Sequence, residues 1–222
     1  MIRLEGVSKS YPLKSRQRHV VFDDVSVTFP VGSRVGILGM NGAGKSTLLR
    51  LIAGREQVDR GRIIREGKIS FPVGFTGTFE PHHTARENLR FLAWIYEMDC
   101  DEVTDWVEDF AELRHYFDMP VATYSSGMFA RLAFGTSFAF DFDVYLVDES
   151  IEVGDERFRR KCTMAFAERL RSASLIMVSQ HPHTIREYCD RAIVLHDGKL
   201  TMHASVDDAM DAYETILRNF RL

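Results

Sequence analysis

The chain has 222 residues, of which 45% are apolar and 27% charged. That is enough chain and enough apolar content to bury a core, and it excludes wholesale disorder. Twenty-eight Lys and Arg against 32 Asp and Glu leave a net charge of −4, which excludes a protein that holds nucleic acid by bulk charge. Its three cysteines, Cys100, Cys162 and Cys189, are far apart and form no CxxC pair, so they read as reduced thiols with neither a disulfide frame nor a metal knuckle. The opening Met1-Ile2-Arg3-Leu4-Glu5 does not read as a signal peptide. No uninterrupted apolar run approaches the roughly 18–20 residues of a membrane span. The expectation is a cytoplasmic chain that reaches a membrane only through a partner.

In chain order, β-rich runs at 20–29, 33–38 and 68–71 are followed by others at 143–147, 175–179 and 192–195. Val144-Tyr145-Leu146-Val147 and Leu175-Ile176-Met177-Val178 are apolar throughout, the pattern of strands covered on both faces of a parallel sheet. Helical patterns begin at Lys45, Asp155 and Pro182 and alternate with these strands, which predicts an α/β domain. Residues 75–140 interrupt the alternation. Thr84-Ala85-Arg86-Glu87 has the form of a capping box, and Leu89, Leu92, Ala93 and Tyr96 repeat at helical spacing after it. Further helices are predicted over 102–116 and from about Gly127. The reading is one domain over 1–222, with an α/β core at 1–74 and 141–204, an inserted helical lobe at 75–140 and a C-terminal helix at 205–222. Ser205 to Asp208 is a second capping box, and Ala209, Met210, Tyr213, Ile216, Leu217 and Phe220 form an apolar stripe. That stripe is expected to pack on its own domain, with a partner contact as the alternative.

Gly39-Met40-Asn41-Gly42-Ala43-Gly44-Lys45-Ser46 matches GxxxxGK[ST], directly after a strand and at the start of a helix. Glycines let backbone N–H groups turn inward as an anion-binding nest, and the helix N-terminus adds partial positive charge. Lys45 then reaches the β- and γ-phosphates and the Ser46 hydroxyl ligates Mg²⁺, so the chain is expected to bind a nucleoside triphosphate. Asp148 and Glu149 end a buried strand, where ligands sit in open α/β sheets. Asp148 suits the Mg²⁺ shell, and Glu149 suits the orientation or deprotonation of an attacking water. The alternative is a pair of solvated acids in a turn. His181 follows the strand at 175–179 and either points at the same pocket or is an ordinary loop residue.

In order, these residues resemble the nucleotide-binding subunit of an ABC transporter, over essentially the whole chain. The resemblance implies a P-loop NTPase fold of ABC type with an inserted helical subdomain, and an ATPase that uses ATP and Mg²⁺. It implies a nucleotide site of Tyr11, Gly39, Asn41, Gly42, Ala43, Gly44, Lys45, Ser46 and Thr47. Within it, Tyr11 stacks on adenine, although an aromatic packed under the first sheet is the competing reading. The resemblance further implies Glu149 as the catalytic glutamate, His181 as the switch histidine and Asp155 as the D-loop aspartate. Tyr124-Ser125-Ser126-Gly127-Met128 falls at the position of the family signature LSGGQ. There Ser125, Ser126 and Gly127 face the γ-phosphate of a nucleotide held by a second copy, with Met128 removing one polar contact. Where the family has a Q-loop glutamine the nearest match is Glu80, which either ligates Mg²⁺ beside Ser46 and Asp148 or turns to solvent.

The YSSGM segment, the run 148–155 and Asp207-Asp208-Ala209 narrow the resemblance to capsular polysaccharide exporters. Related exporters of O-antigen or teichoic acid commonly add a C-terminal domain, and the chain stops at Leu222. The implied activity is ATP hydrolysis that powers capsule export through a separate integral-membrane permease, at the cytoplasmic face of the inner membrane. The implied partners are a second copy and that permease, with no nucleic acid and no direct contact with the polymer. The rivals are an ATPase of another glycan or lipid-linked polymer exporter, a soluble ABC ATPase and a weakly active nucleotide switch.

Overall fold

The computed structural model describes residues 1–14, 17–74, 77, 79–148 and 154–220. In chain order the elements are β1 (Ile2–Pro12), β2 (Arg18–Phe29), β3 (Arg34–Gly39), α1 (Lys45–Ile52), β4 (Arg60–Arg65), β5 (Ile69–Pro72), α2 (Ala85–Ile95) and α3 (Cys100–Ala111). Then follow α4 (Ser126–Ala139), β6 (Val144–Asp148), α5 (Glu156–Arg169), β7 (Ser174–Val178), α6 (Pro182–Tyr188), β8 (Arg191–His196), β9 (Lys199–His203) and α7 (Val206–Phe220). Two compact units result. Met1–Ser70, Asp143–Glu149 and Ser172–Leu222 make the first, and Phe71–Phe142 with Ser150–Arg171 make the second.

In the first unit, six strands run in the order β5-β6-β7-β3-β8-β9. Strand β3 pairs in parallel with β7 and β8, and β6 in parallel with β7. These are the apolar runs of the sequence: Val35, Ile37, Leu146, Ile176 and Ile193 are all at most 1% exposed. The α/β reading therefore holds, because strands that apolar must be covered on both faces. A separate antiparallel sheet, β2-β1-β4, packs its inner face into the same core through Ile2, Leu4, Phe22 and Phe29. Helix α7 buries Ala209, Met210 and Tyr213 and packs on β3, β8 and α6, as its apolar stripe predicts.

Strands β1, β4 and β9 went unread in the sequence. Register shifts at three places along β1, with Gly6 at φ +57°, break the two-residue alternation that would have marked a strand. Strands β4 and β9 are polar and mostly exposed.

The second unit is rich in aromatic residues. Helix α4 is apolar on nearly every side and runs through its centre, with Leu132, Ala133 and Phe138 fully buried. Phe138 meets Phe110 of α3 and Phe166 of α5, and Phe110 also meets Phe158, so α5 belongs to this unit through its packing. The capping box is present: the Thr84 hydroxyl accepts from the Glu87 N–H at 3.1 Å, and the Glu87 carboxylate accepts from the Thr84 N–H at 2.8 Å. The helix expected over 102–116 begins earlier, with Asp99 accepting from the N–H groups of Asp101 and Glu102. It ends at Ala111, where Glu112 turns left-handed at φ 56°. The helical spacing beyond that point belongs to a short 3-10 segment, Arg114–Asp118.

Candidate nucleotide site

A cleft of ≈ 290 Å³ opens in the first unit at the carboxyl ends of its parallel strands, where α/β sheets bind ligands. Asn41, Gly42 and residues 44–47 line it. Gly44 caps α1 at φ 105°, a conformation an L side chain resists, and a Cβ there would lie 2.4 Å from Val21 Cγ1. Gly42 is at φ 80°. These two glycines turn the loop so that it delivers the N-terminus of α1 to the cleft, and the first turn of that helix carries no acidic side chain. The N–H groups of a helix's first turn lack intrahelical partners, so an anion at this position meets both donors and a favourable dipole.

Lys45 is 8% exposed, and its Nζ donates to the carbonyl oxygens of Gly39 at 2.6 Å and Met40 at 3.0 Å. Those bonds make burial of an ammonium tolerable and fix its charge within the loop. The Ser46 hydroxyl donates to Asp148 Oδ1 at 3.5 Å, across 102 residues of sequence. A hydroxyl and a carboxylate oxygen brought together beside a phosphate loop are the hard donors that Mg²⁺ takes, so the residues present fit that ion. No group of three or more His, Cys, Asp or Glu of metal-binding form occurs among the described residues. A nucleotide-bound Mg²⁺ does not require one, since phosphate oxygens complete its shell.

Tyr11, His19 and Val21 form one wall of the cleft, and Val178 and Gln180 another side. Tyr11 and His19 face each other across the β1–β2 pair. Tyr11 packs against the core, as the competing reading expects, and it also lines the cleft. The Thr47 hydroxyl accepts from Arg50 Nη2 at 3.0 Å, which turns it toward Tyr11. His181 is exposed at the N-cap of α6, with its N–H donating to the Ser179 hydroxyl at 3.0 Å. Its neighbour Gln180 lines the cleft. Glu149 lies outside the described residues. His19 and Gln180 were missed by sequence reasoning, and only the strand pairing of His19 with Tyr11 could have suggested the first.

The remaining predicted residues lie in the second unit. Ser125 is the N-cap of α4, its hydroxyl accepting from the Met128 N–H at 3.3 Å, and Ser126 and Gly127 form the exposed first turn. Tyr124 is anchored by its hydroxyl, which donates to the Tyr116 carbonyl at 2.7 Å, and burial pushes its pKa up to about 12. Asp155 caps α5 by accepting from the Phe158 N–H at 2.9 Å and pairs with Arg131 of α4 at 2.8 Å. The Phe158 N–H chiefly, aided by Arg131, holds the Asp155 carboxyl below its ordinary range. Arg131 also lies over the Phe158 ring at 4.7 Å, so it ties α4 to the start of α5 by an ion pair and a ring contact. Glu80 is exposed, and its backbone is fixed by Asn88, whose Oδ1 accepts from the Glu80 N–H at 2.7 Å. Of the three residues expected to hold metal, the first unit brings Ser46 and Asp148 together, and Glu80 belongs to the second unit.

The phosphate loop, the strand-end carboxylate and the inserted helices define a nucleotide-handling α/β protein. The model of the ABC transporter family matches residues 22–152, and the chain belongs to that family. It is 46% identical to the polysialic acid transport ATP-binding protein KpsT of Escherichia coli, over 96% of this chain and 99% of the relative. It is 44% identical to the capsule polysaccharide export ATP-binding protein CtrD of Neisseria meningitidis serogroup B, over 97% and 100%. An O-antigen export ATP-binding protein of Klebsiella pneumoniae matches at 31%. Among solved structures, a dimeric ATP-binding cassette in a post-hydrolysis state with ADP and Pi superposes with a TM-score of 0.76 at 21% identity, over 92% of this chain and 98% of that one. That likeness fixes the fold.

Proposed function

We propose that this chain is the ATP-hydrolysing subunit of an exporter that carries capsular polysaccharide out of the cell. The observation that carries the hydrolytic part is the cleft itself, where Lys45, the N-terminus of α1 and the Ser46–Asp148 pair converge. Near-full-length identity of 44–46% to capsule and polysialic acid export proteins supports the substrate class. The O-antigen relative, at 31%, supports the neighbouring class less.

Phosphoryl transfer is catalysed mainly by positioning and charge neutralisation. The loop at 39–47 receives the phosphates of ATP on its backbone N–H groups, and Lys45 balances charge that grows on the transferred group. Ser46 and Asp148 would hold Mg²⁺, which when bound would supply Lewis-acid neutralisation of the phosphate oxygens. Glu149 orients the attacking water in this account, and His181 contributes at the γ-phosphate. Tyr11 carries the base. Ser125, Ser126 and Gly127 serve the nucleotide of a second copy in a head-to-tail dimer, and Asp155 lies at the same junction. Glu80 takes the position from which the family reports the γ-phosphate to its membrane partner.

No helix among the described residues is long and apolar enough to cross a membrane. In this reading the chain is a peripheral subunit at the cytoplasmic face, with an integral-membrane permease as its partner, as the transport names of its relatives suggest. The test is to tag the chain in its native cell, solubilise membranes gently and identify what co-purifies. Recovery of one polytopic membrane protein whose presence raises ATPase activity is the expected result. Recovery from the soluble fraction alone, with no such partner, would move the protein out of transport.

A further inference from the structure

Tyr11 does not stand alone at the cleft wall. Its hydroxyl donates to Glu56 Oε2 at 2.8 Å, and Arg50 Nη2 reaches the same hydroxyl at 3.3 Å. Arg50 also donates through Nε to Glu56 at 3.2 Å and through Nη2 to the Thr47 hydroxyl at 3.0 Å. The other carboxylate oxygen of Glu56 pairs with Lys9 Nζ at 2.9 Å, and Lys9 lies 5.2 Å from the centre of the Tyr11 ring. Glu56 is thereby held on both oxygens with its side chain 20% exposed. Glu56 itself lies in the loop after α1, and its partners, up to 47 residues away in sequence, lie on β1 and on α1.

We propose that Glu56 is a positioning residue for the nucleotide base: it holds the Tyr11 hydroxyl and, through Arg50 and Thr47, locks the ring to the helix that carries the phosphate loop. The proposal rests on the reading of the cleft as an ATP site. An aromatic platform gains from stacking when its ring is already held at the stacking angle, because ordering it at the moment of binding takes back part of the gain. The phenol is thus required at position 11 as well as the ring. A carboxylate does this better than a neutral acceptor, since charge-assisted hydrogen bonds are shorter and stronger. Burial works against the charged form of Glu56, but hydrogen bonds from Tyr11, Lys9 and Arg50 outweigh it and keep the carboxyl below its ordinary range. It stays ionised at neutral pH.

Tests use the purified full chain with Mg²⁺ and two probes, ATP and inorganic tripolyphosphate, which has the phosphates and no base. For Tyr11→Phe and Glu56→Ala we expect ATP to bind about fivefold more weakly while tripolyphosphate binds as before, the size expected for a lost preorganisation. Glu56→Gln keeps an oxygen that accepts from Tyr11 and should recover most of the loss. The double variant should lose no more than either single one, since both cut the same bond. In steady-state hydrolysis, Glu56→Ala should raise KM for ATP in the same ratio. Equal ATP affinity in Tyr11→Phe and the parent would overturn the proposal, as would weakening of both probes alike. Tyr11→Phe removes one hydroxyl and keeps the ring, so it reports even where Glu56→Ala fails to fold. Failure of the parent to bind ATP while tripolyphosphate binds would overturn the ATP reading, and the proposal with it.

Discussion

Ser46 and Lys45 are neighbours with different tasks, and single substitutions separate them. Ser46→Ala keeps the loop and the lysine but removes one of two oxygens near the expected ion, the other being on Asp148. Hydrolysis should then require about tenfold more Mg²⁺ for half-maximal rate, the order of effect seen when metal affinity is lowered. A magnesium titration of both proteins would check this, and an unchanged midpoint would remove Ser46 from the metal site. The cysteines give a second residue-scale test. Burial pushes the thiols of Cys162 and Cys189 up to about 12. The thiolate is the reactive form, so at pH 8 about one molecule in ten thousand carries it at either position. The thiolate fraction falls as pH falls, so lower pH protects these thiols further. Alkylation of the native chain at pH 8 should modify Cys100 first, with Cys162 and Cys189 reacting only after denaturation, as read by peptide mass.

What was legible at this scale was what is local in sequence. The loop at 39–47 announces itself because one short segment supplies turn, charge and hydroxyl. Asp148 is legible as an acid at the end of an apolar strand. The Tyr11–Glu56 hydrogen bond was not, since it joins residues 45 apart and depends on how the chain after α1 returns to β1. Arg131 escaped for the same reason: its partner Asp155 is 24 residues away.

At the scale of elements, the cap of α2 and the start of α1 make opposite use of the helix N-terminus. Helix α2 begins with a complete capping box, in which Thr84 and Glu87 satisfy each other's backbone. Thr84→Ala should cost about 1 kcal/mol in chemical denaturation, and Thr84→Ser close to nothing. Helix α1 begins on a glycine with no side-chain cap, leaving that end available to an anion. Gly44→Ala would hold a strained φ and push a methyl group into Val21, so a loss of roughly 1–3 kcal/mol is expected together with lost nucleotide binding. A circular-dichroism melt with and without ATP checks both parts. Strand assignment from sequence succeeded where both faces are buried, as in β3, β6 and β7. It failed where bulges destroyed alternation in β1 and where an edge strand such as β9 carries mostly polar, exposed residues.

At the scale of the whole molecule, the residues expected to serve the site are divided between two compact units. The first holds the phosphate loop, Tyr11 and Asp148; the second holds the segment at 125–127, Asp155 and Glu80. The grouping of α5 with the second unit follows from its phenylalanine contacts with α3 and α4, which no periodicity in the sequence encodes. Near-full-length identity to capsule and polysialic acid export proteins supports the proposal that a polymer is what the chain helps to export. In the proposed function, hydrolysis at this site drives that polymer outward. The direct test replaces the native chain by Glu149→Gln in its source cell and measures polysaccharide inside the cell and at its surface. Polymer accumulating inside and vanishing from the surface, with normal levels of the variant protein, is the predicted result. An unchanged surface layer would contradict the account.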